Sequence, residues 1–185
     1  WYGTTNPTLI FKRAAVSATL ALALIFGAPV GAAGEWQLDT ARSSVGFLAE
    51  SRLGDVPGVF HKWQIDAKVP ADLSKGSGRF VVNVASIDTQ NKRRDDHLRN
   101  PDFFEVEKYP EAVFTIGSVS TEGDTVLVNG KMRIKDVERS ETIRFRKTEG
   151  EDRLELKGRL VVDRTQYGIT YDSIFNPIEN EVLLQ

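Results

Sequence analysis

Apolar and polar side chains alternate at a period of two through most of this chain after residue 36, and that period restricts the fold more than any other feature. In "DRLELKGRLVVD", positions 154, 156, 158, 160 and 162 are Leu, Leu, Gly, Leu and Val, while 155, 157, 159, 161 and 163 are Glu, Lys, Arg, Val and Asp. One apolar and one charged face make a half-buried strand. The run from 126 to 135 repeats the pattern, with Val126, Val128, Gly130, Met132 and Ile134 on one face and Asn129, Lys131, Arg133 and Lys135 on the other. Further alternating runs at 43–50, 62–69, 78–87, 112–119, 141–147 and 180–185, with an opening "EWQLD", bring the count to about nine short strands. Turn clusters separate them, among them Gly54-Asp55-Val56-Pro57-Gly58, Lys75-Gly76, Glu122-Gly123-Asp124 and Glu149-Gly150-Glu151. The spacing suits antiparallel hairpins, so an all-β barrel or sandwich is expected.

One stretch interrupts the period. Between Ile87 and Ala112, "NKRRDDHLRN" can form two or three helical turns, capped by Asp88 or Thr89 and ended at Asn100-Pro101. A helix inserted between strands is most economically laid across an open barrel end, with Leu98, Phe103 and Phe104 facing in. Gly130 and Gly158 fall on the apolar faces of the two clearest strands. A glycine there marks either a bend or a space that something else occupies.

Composition narrows the function. The 185 residues carry 24 Lys+Arg and 26 Asp+Glu for a net charge of -2, without the basic field that nucleic-acid binding needs. There is no cysteine, which removes disulfides, thiolate catalysis and Cys-ligated metal. Near the start, Lys12 and Arg13 precede an apolar run from Ala14 to Ala28, then Pro29 and small residues, the order of a secretory signal. The run is shorter than the roughly 20 residues that span a bilayer, so a cleaved leader is expected rather than an anchor. The expected division is a signal peptide over 1–33, with residues 1–11 as upstream sequence because residue 1 is Trp, and one exported domain over 34–185, placed in the periplasm or secreted.

The cluster Arg93-Arg94-Asp95-Asp96-His97 invites a catalytic reading. On a helix, however, Asp95, Asp96 and His97 point about 100° apart and cannot form a triad among themselves. No Ser sits in a Gly-x-Ser-x-Gly context. With two histidines, His61 and His97, and no His-x-x-x-His pair, neither a zinc site nor a calcium loop is indicated, and no cofactor is called for. The cluster is then a solvated face with ion pairs, or a cationic rim holding the polar head of a ligand whose tail lies inside.

The segments "WQLDTARSSVGF" (36–47), "GVFHKW" (58–63), "SIDTQNKRRDDHLRNPDFFEVEKYPEAVFTIGSV" (86–119), "VNGKMRIKDV" (128–137) and "VDRTQYGI" (162–169) resemble, in order, the YceI-like family of exported bacterial polyisoprenoid-binding proteins. The chain departs from that family's pattern at "KDVERSET", where a hydroxyl-bearing turn is usual, and at Arg42, where His is common. The resemblance implies an antiparallel, eight-stranded or near, lipocalin-like barrel with a short helix over one end. It implies an apolar tunnel lined by Phe47, Phe60, Ile87, Leu98, Phe103, Phe104, Phe114, Ile116, Phe145, Leu160 and Ile169. Arg94, Asp95, His97, Arg164 and Tyr167 become candidates for the mouth and the ligand head group.

The expected function is a carrier, not an enzyme, holding a long polyisoprenoid or isoprenoid quinone for transport, storage or stress protection. Its partner is the lipid, with homodimerisation or transient contact with the membrane or envelope proteins compatible with that role. A fatty acid or fatty amide is the alternative cargo. An enzyme with His97 as base and a ligand-free envelope interaction module are the alternatives of other classes.

Overall fold

The computed structural model describes residues 8–13, 36–172 and 177–185. Their strands are β1 (Leu9–Arg13), β2 (Trp36–Leu38), β3 (Gly46–Ser51), β4 (Val56–Phe60), β5 (Trp63–Lys68), β6 (Ser77–Asn83), β7 (Ile87–Asp88), β8 (Glu111–Glu122), β9 (Thr125–Ile134), β10 (Val137–Glu149), β11 (Arg153–Asp163) and β12 (Ile178–Leu184), with one α-helix, α1 (Lys92–Arg99). They form a single sheet in the order β5-β6-β8-β9-β10-β11-β12-β3-β4-β7, with β1 on β11 and β2 on β1. Every ladder is antiparallel. The sheet curls until the inward side chains of β3, β6, β9 and β11 face one cavity, and among the described residues no ladder joins β5 to β7. The result is a lipocalin-like half-barrel.

Alternation explains why the core lies inside the curl. On β9, Val126, Val128, Met132 and Ile134 are buried, and on β11 so are Leu154, Leu156, Leu160 and Val162, while their odd-numbered neighbours are polar apart from Leu127 and Val161. Three strands exceed the expected set. Residues 56–60 read as a turn but form β4, whose Pro57 pairs with Leu48; only Val59 and Phe60 continue the ladder to β7, so Pro57 sits where its outer edge needs no donor. The other two are the two-residue β7 and β1. β1 pairs Leu9 with Leu156 and Phe11 with Leu38, burying Ile10 and Phe11. The apolar run of the expected leader, 14–28, and its exit up to residue 33 lie outside the described residues.

The inward glycines seat aromatic rings. Phe145 faces Gly158 across β10 and β11, and a Cβ on Gly158 would come within 2.5 Å of the ring. A Cβ on Gly130 would come within 2.5 Å of the Phe114 ring, and Gly58, opposite Phe47, would collide with that ring in the same way. Of the two readings open from the sequence, bend or occupied space, the second holds at Gly158. The occupant is the protein's own phenylalanine.

Candidate functional site

Helix α1 begins at Asn91, whose side chain accepts from the Arg94 amide at 3.1 Å, three residues beyond the expected Asp88 cap. Asp88 instead accepts from the Gln90 amide at 2.7 Å and pairs with His61 at 2.9 Å. Thr89, the other expected cap, is buried beneath the helix. Its amide and hydroxyl donate to the Asp95 carboxylate at 2.9 and 2.6 Å, and Arg94 donates to the Thr89 hydroxyl and carbonyl at 2.8 and 2.9 Å. One turn on, Arg99 donates to the carbonyls of Ala85 at 2.9 Å and Ile87 at 2.7 Å. On the solvent side Lys92 and Arg99 hold Asp96, and the Lys92 hydrogen bond lowers its pKa. Half of the charged residues of α1, Arg94, Asp95 and Arg99, therefore fasten the helix to residues 85–89.

Beneath α1 lies a cavity of about 970 Å³, within the range of small-molecule and lipid sites. Phe47, Phe60, Leu98, Phe103, Phe104 and Phe114 are in its wall, as are Ile116, Phe145, Leu160 and Ile169. Ile87 is not; it is 1% exposed and stands beside its cross-strand partner Phe60 on the same face of the sheet, fully covered by its neighbours. At the α1 end, Arg94, His97, Arg164 and Tyr167 reach the cavity, whereas Asp95 is turned under the helix onto Thr89. Alternation on β9 and β11 also put Val126, Met132 and Leu156 on the wall, and that parity was the signal that could have assigned them. Tyr171 reaches it too, with no periodic pattern to mark it, and so does Arg159, which alternation assigns to the outer face.

The polar residues at this end differ in what they can still bind. Arg164, 7% exposed, donates to four carbonyls: Ile169 at 2.8 Å, Tyr171 and Ile178 at 2.9 Å, and Glu179 at 3.1 Å. Its guanidinium thus ties the chain after β11 to the start of β12. The Tyr167 hydroxyl donates to Glu141 at 2.7 Å, and burial, reinforced by that carboxylate, pushes its pKa well above the usual phenol value. His97 lies 3.3 Å from Asp102 and packs edge-on against Phe103 and Tyr171, at centroid distances of 5.0 and 4.8 Å. His97 is 39% exposed at the side chain, so it belongs to the rim between an aromatic cluster and solvent. Among the described residues no group of His, Asp and Glu is arranged to hold a metal ion.

Comparison with known proteins places this geometry. A family model described as the YceI-like domain matches residues 36–185. The UPF0312 protein plu2095 of Photorhabdus laumondii is 44% identical over 57 residues, 31% of this chain, and the match spans only 30% of that relative's length. The crystal structure of BcnA from Burkholderia cenocepacia superposes with a TM-score of 0.74 at 24% identity, covering 80% of this chain and 96% of that one. A polyisoprenoid binding domain from Saccharophagus degradans, implicated in plant cell wall breakdown, superposes with a TM-score of 0.54 at 12% identity over 76% of this chain and 88% of that one. Both structural likenesses establish the fold.

Proposed function

Because the chain belongs to the YceI-like family, we propose that it binds one long apolar lipid, a polyisoprenoid or isoprenoid quinone, inside the curled sheet and carries it in the cell envelope. The observation that carries this reading is the cavity: about 970 Å³ of space walled by aromatic and aliphatic side chains from most of the sheet. A methylene takes about the volume of a water molecule, roughly 30 Å³, so the space suits a chain of about 20 to 30 carbons after imperfect filling. At roughly 0.8 kcal/mol per buried methylene-sized group, such a tail offers well over 10 kcal/mol gross. That exceeds much of the 4 to 15 kcal/mol that association costs. The polyisoprenoid binding domain that shares this fold supports the cargo class.

The leader-like order at residues 12–33 supports export and with it a periplasmic or secreted location; because Lys12 and Arg13 also belong to β1, cleavage after residue 33 would take β1 out of the sheet and leave the β11 edge from Arg153 to Arg159 without a strand partner there, widening the gap before Leu160. The experiment that tests the reading is solvent extraction of the purified protein followed by mass analysis of the extract. A prenyl chain or quinone is expected; a fatty acid or fatty amide would redirect the cargo, and an empty extract from every preparation would overturn carriage. His97→Gln separates the carrier from the enzyme reading. In a carrier, prenyl esters or diphosphates incubated with either form remain intact.

A further inference from the structure

The wall of the cavity has a seam on β11. Along one edge of this strand, β1 pairs as far as Leu156, and β12 takes over only at Leu160. Among the described residues Lys157, Gly158 and Arg159 have a ladder partner on the β10 side only. Across the seam, the Ser44 amide donates to the Thr8 carbonyl at 3.0 Å, and Gly46 and Gln185 exchange amide hydrogen bonds at 2.9 and 3.0 Å. Gly158, Arg159, Thr8, Ser44 and Gln185 all border the cavity. Alternation sends Arg159 outward, since its neighbours Gly158 and Leu160 face in. Arg159 is thus exposed on the outer face and still borders the cavity, beside the unpaired edge of β11.

The outer face beside this seam is unusual in two ways. Val161, Leu183, Leu48 and Pro57 stand in cross-strand register over β11, β12, β3 and β4, an apolar row on the outside of the sheet. Val161 is 54% exposed and Val59, also outward, 37%. Next to the row, Arg144 lies directly opposite Arg159, and Arg146 opposite Lys157. Like charges in register are unfavourable within a sheet. Arg146 and Lys157 are offset by Asp124 and Glu155, whereas Arg144 and Arg159 have no carboxylate within 4.0 Å among the described residues. Asp163 and Glu181 form the next outward pair, beyond Val161 and Leu183, and Asp163 is engaged by Thr165 and Gln166.

We propose that this face, centred on Arg144, Arg159 and Val161, docks the protein onto an anionic lipid bilayer, with the seam beside Gly158 as the side portal through which an apolar chain passes between bilayer and cavity. Uncompensated cations beside exposed apolar side chains match anionic headgroups over acyl chains. A second copy fits poorly, because a two-fold contact through this face would bring its unpaired arginines against one another. The portal part rests on the lipid-carrier reading; the docking part does not.

The test is co-sedimentation with phosphatidylcholine vesicles, with and without phosphatidylglycerol. Binding is expected only with phosphatidylglycerol, and Arg144→Glu should weaken it about thirtyfold, from about a fivefold loss for each of the two charge units changed. The carboxylate so introduced lies opposite Arg159, replacing a like-charge cross-strand pair with an opposite-charge one, so the sheet should not be weakened. Val161→Asp, an independent probe, should weaken binding as well. Equal binding to both vesicle types, binding to neither, or wild-type binding by both variants overturns docking. So does a dimer that Val161→Asp dissolves, which would assign the face to a second copy. Uptake of a prenol is then compared from detergent micelles and from the anionic vesicles. Loss by Arg144→Glu from vesicles alone supports the portal, and equal uptake from vesicles by variant and wild type overturns it. Failure of the wild type to take up prenol from micelles is instead a failure of the carrier reading, and docking is then decided by sedimentation alone.

Discussion

The Phe145 ring occupies the space above Gly158, its cross-strand partner, so that a strand residue without a side chain and a cavity-wall aromatic form one packing unit. Gly158→Ala should push the ring off its seat and into the cavity. Overpacking of this kind costs about 1 to 3 kcal/mol. Urea unfolding should show that loss, and Phe145→Leu should recover part of it in a double-mutant cycle, with a coupling of at least about 0.5 kcal/mol. Strictly additive single changes would mean that the ring and the glycine do not share the space.

Arg164 separates a structural from a ligand-contact role. With four donors committed to carbonyls on both sides of the residues joining β11 to β12, Arg164→Met should cost about 3 to 5 kcal/mol, as removal of a buried charged hydrogen-bonding group does. Arg164→Lys should fall between, since an ammonium cannot reproduce the planar fork. If chemical denaturation shows a stable Arg164→Met while lipid uptake falls, the guanidinium serves the ligand instead.

Tyr167, 1% exposed, donates its hydroxyl to Glu141. Tyr167→Phe removes a hydrogen bond to a carboxylate and should cost about 1 to 3 kcal/mol in urea titration. Because burial raises its pKa, ultraviolet difference titration of the wild type should show one tyrosine that fails to ionise with the others in alkali. The Tyr167→Phe variant should lose no ionising tyrosine from that curve.

The pH profile of stability follows from carboxylates held below their ordinary pKa. Asp88 is lowered chiefly by His61, Asp96 by Lys92, Asp163 by Thr165, Asp39 by Arg42 and Asp72 by Ser74. A depressed folded-state pKa adds stability above the unfolded value and loses it as pH falls through the folded one. Thermal unfolding temperature should hold through neutral pH with respect to these groups and decline below about pH 4. A decline already complete at pH 6 would rule these carboxylates out as its source.

Strands with strict alternation were legible because a half-buried sheet needs one side chain in and the next out, and β9 and β11 show it residue by residue. β4 was not, since Val56-Pro57-Gly58 carries the chemistry of a turn and becomes a strand through its tertiary ladder to β3, where Gly58 makes room for the Phe47 ring. Within the site, phenylalanines on inward parity were readable. Ile87 and Asp95 are both buried near the cavity without bordering it: Ile87 is covered beside its cross-strand partner Phe60, and Asp95 is turned onto Thr89. Nothing local in the sequence distinguishes a buried side chain that borders a cavity from one that borders another strand. The Asn91 cap was hidden by two better-placed candidates, Asp88 and Thr89, both recruited by the segment before the helix.

Helix α1 is riveted to residues 85–89 at three points, through Arg94, Asp95 and Arg99, by six hydrogen bonds. At about 1 kcal/mol net for each, lifting it as a flap would cost about 6 kcal/mol and leave the raised form at under one molecule in ten thousand. The roof of the cavity is therefore fixed masonry, and traffic of a bulky chain has to find a doorway in the walls.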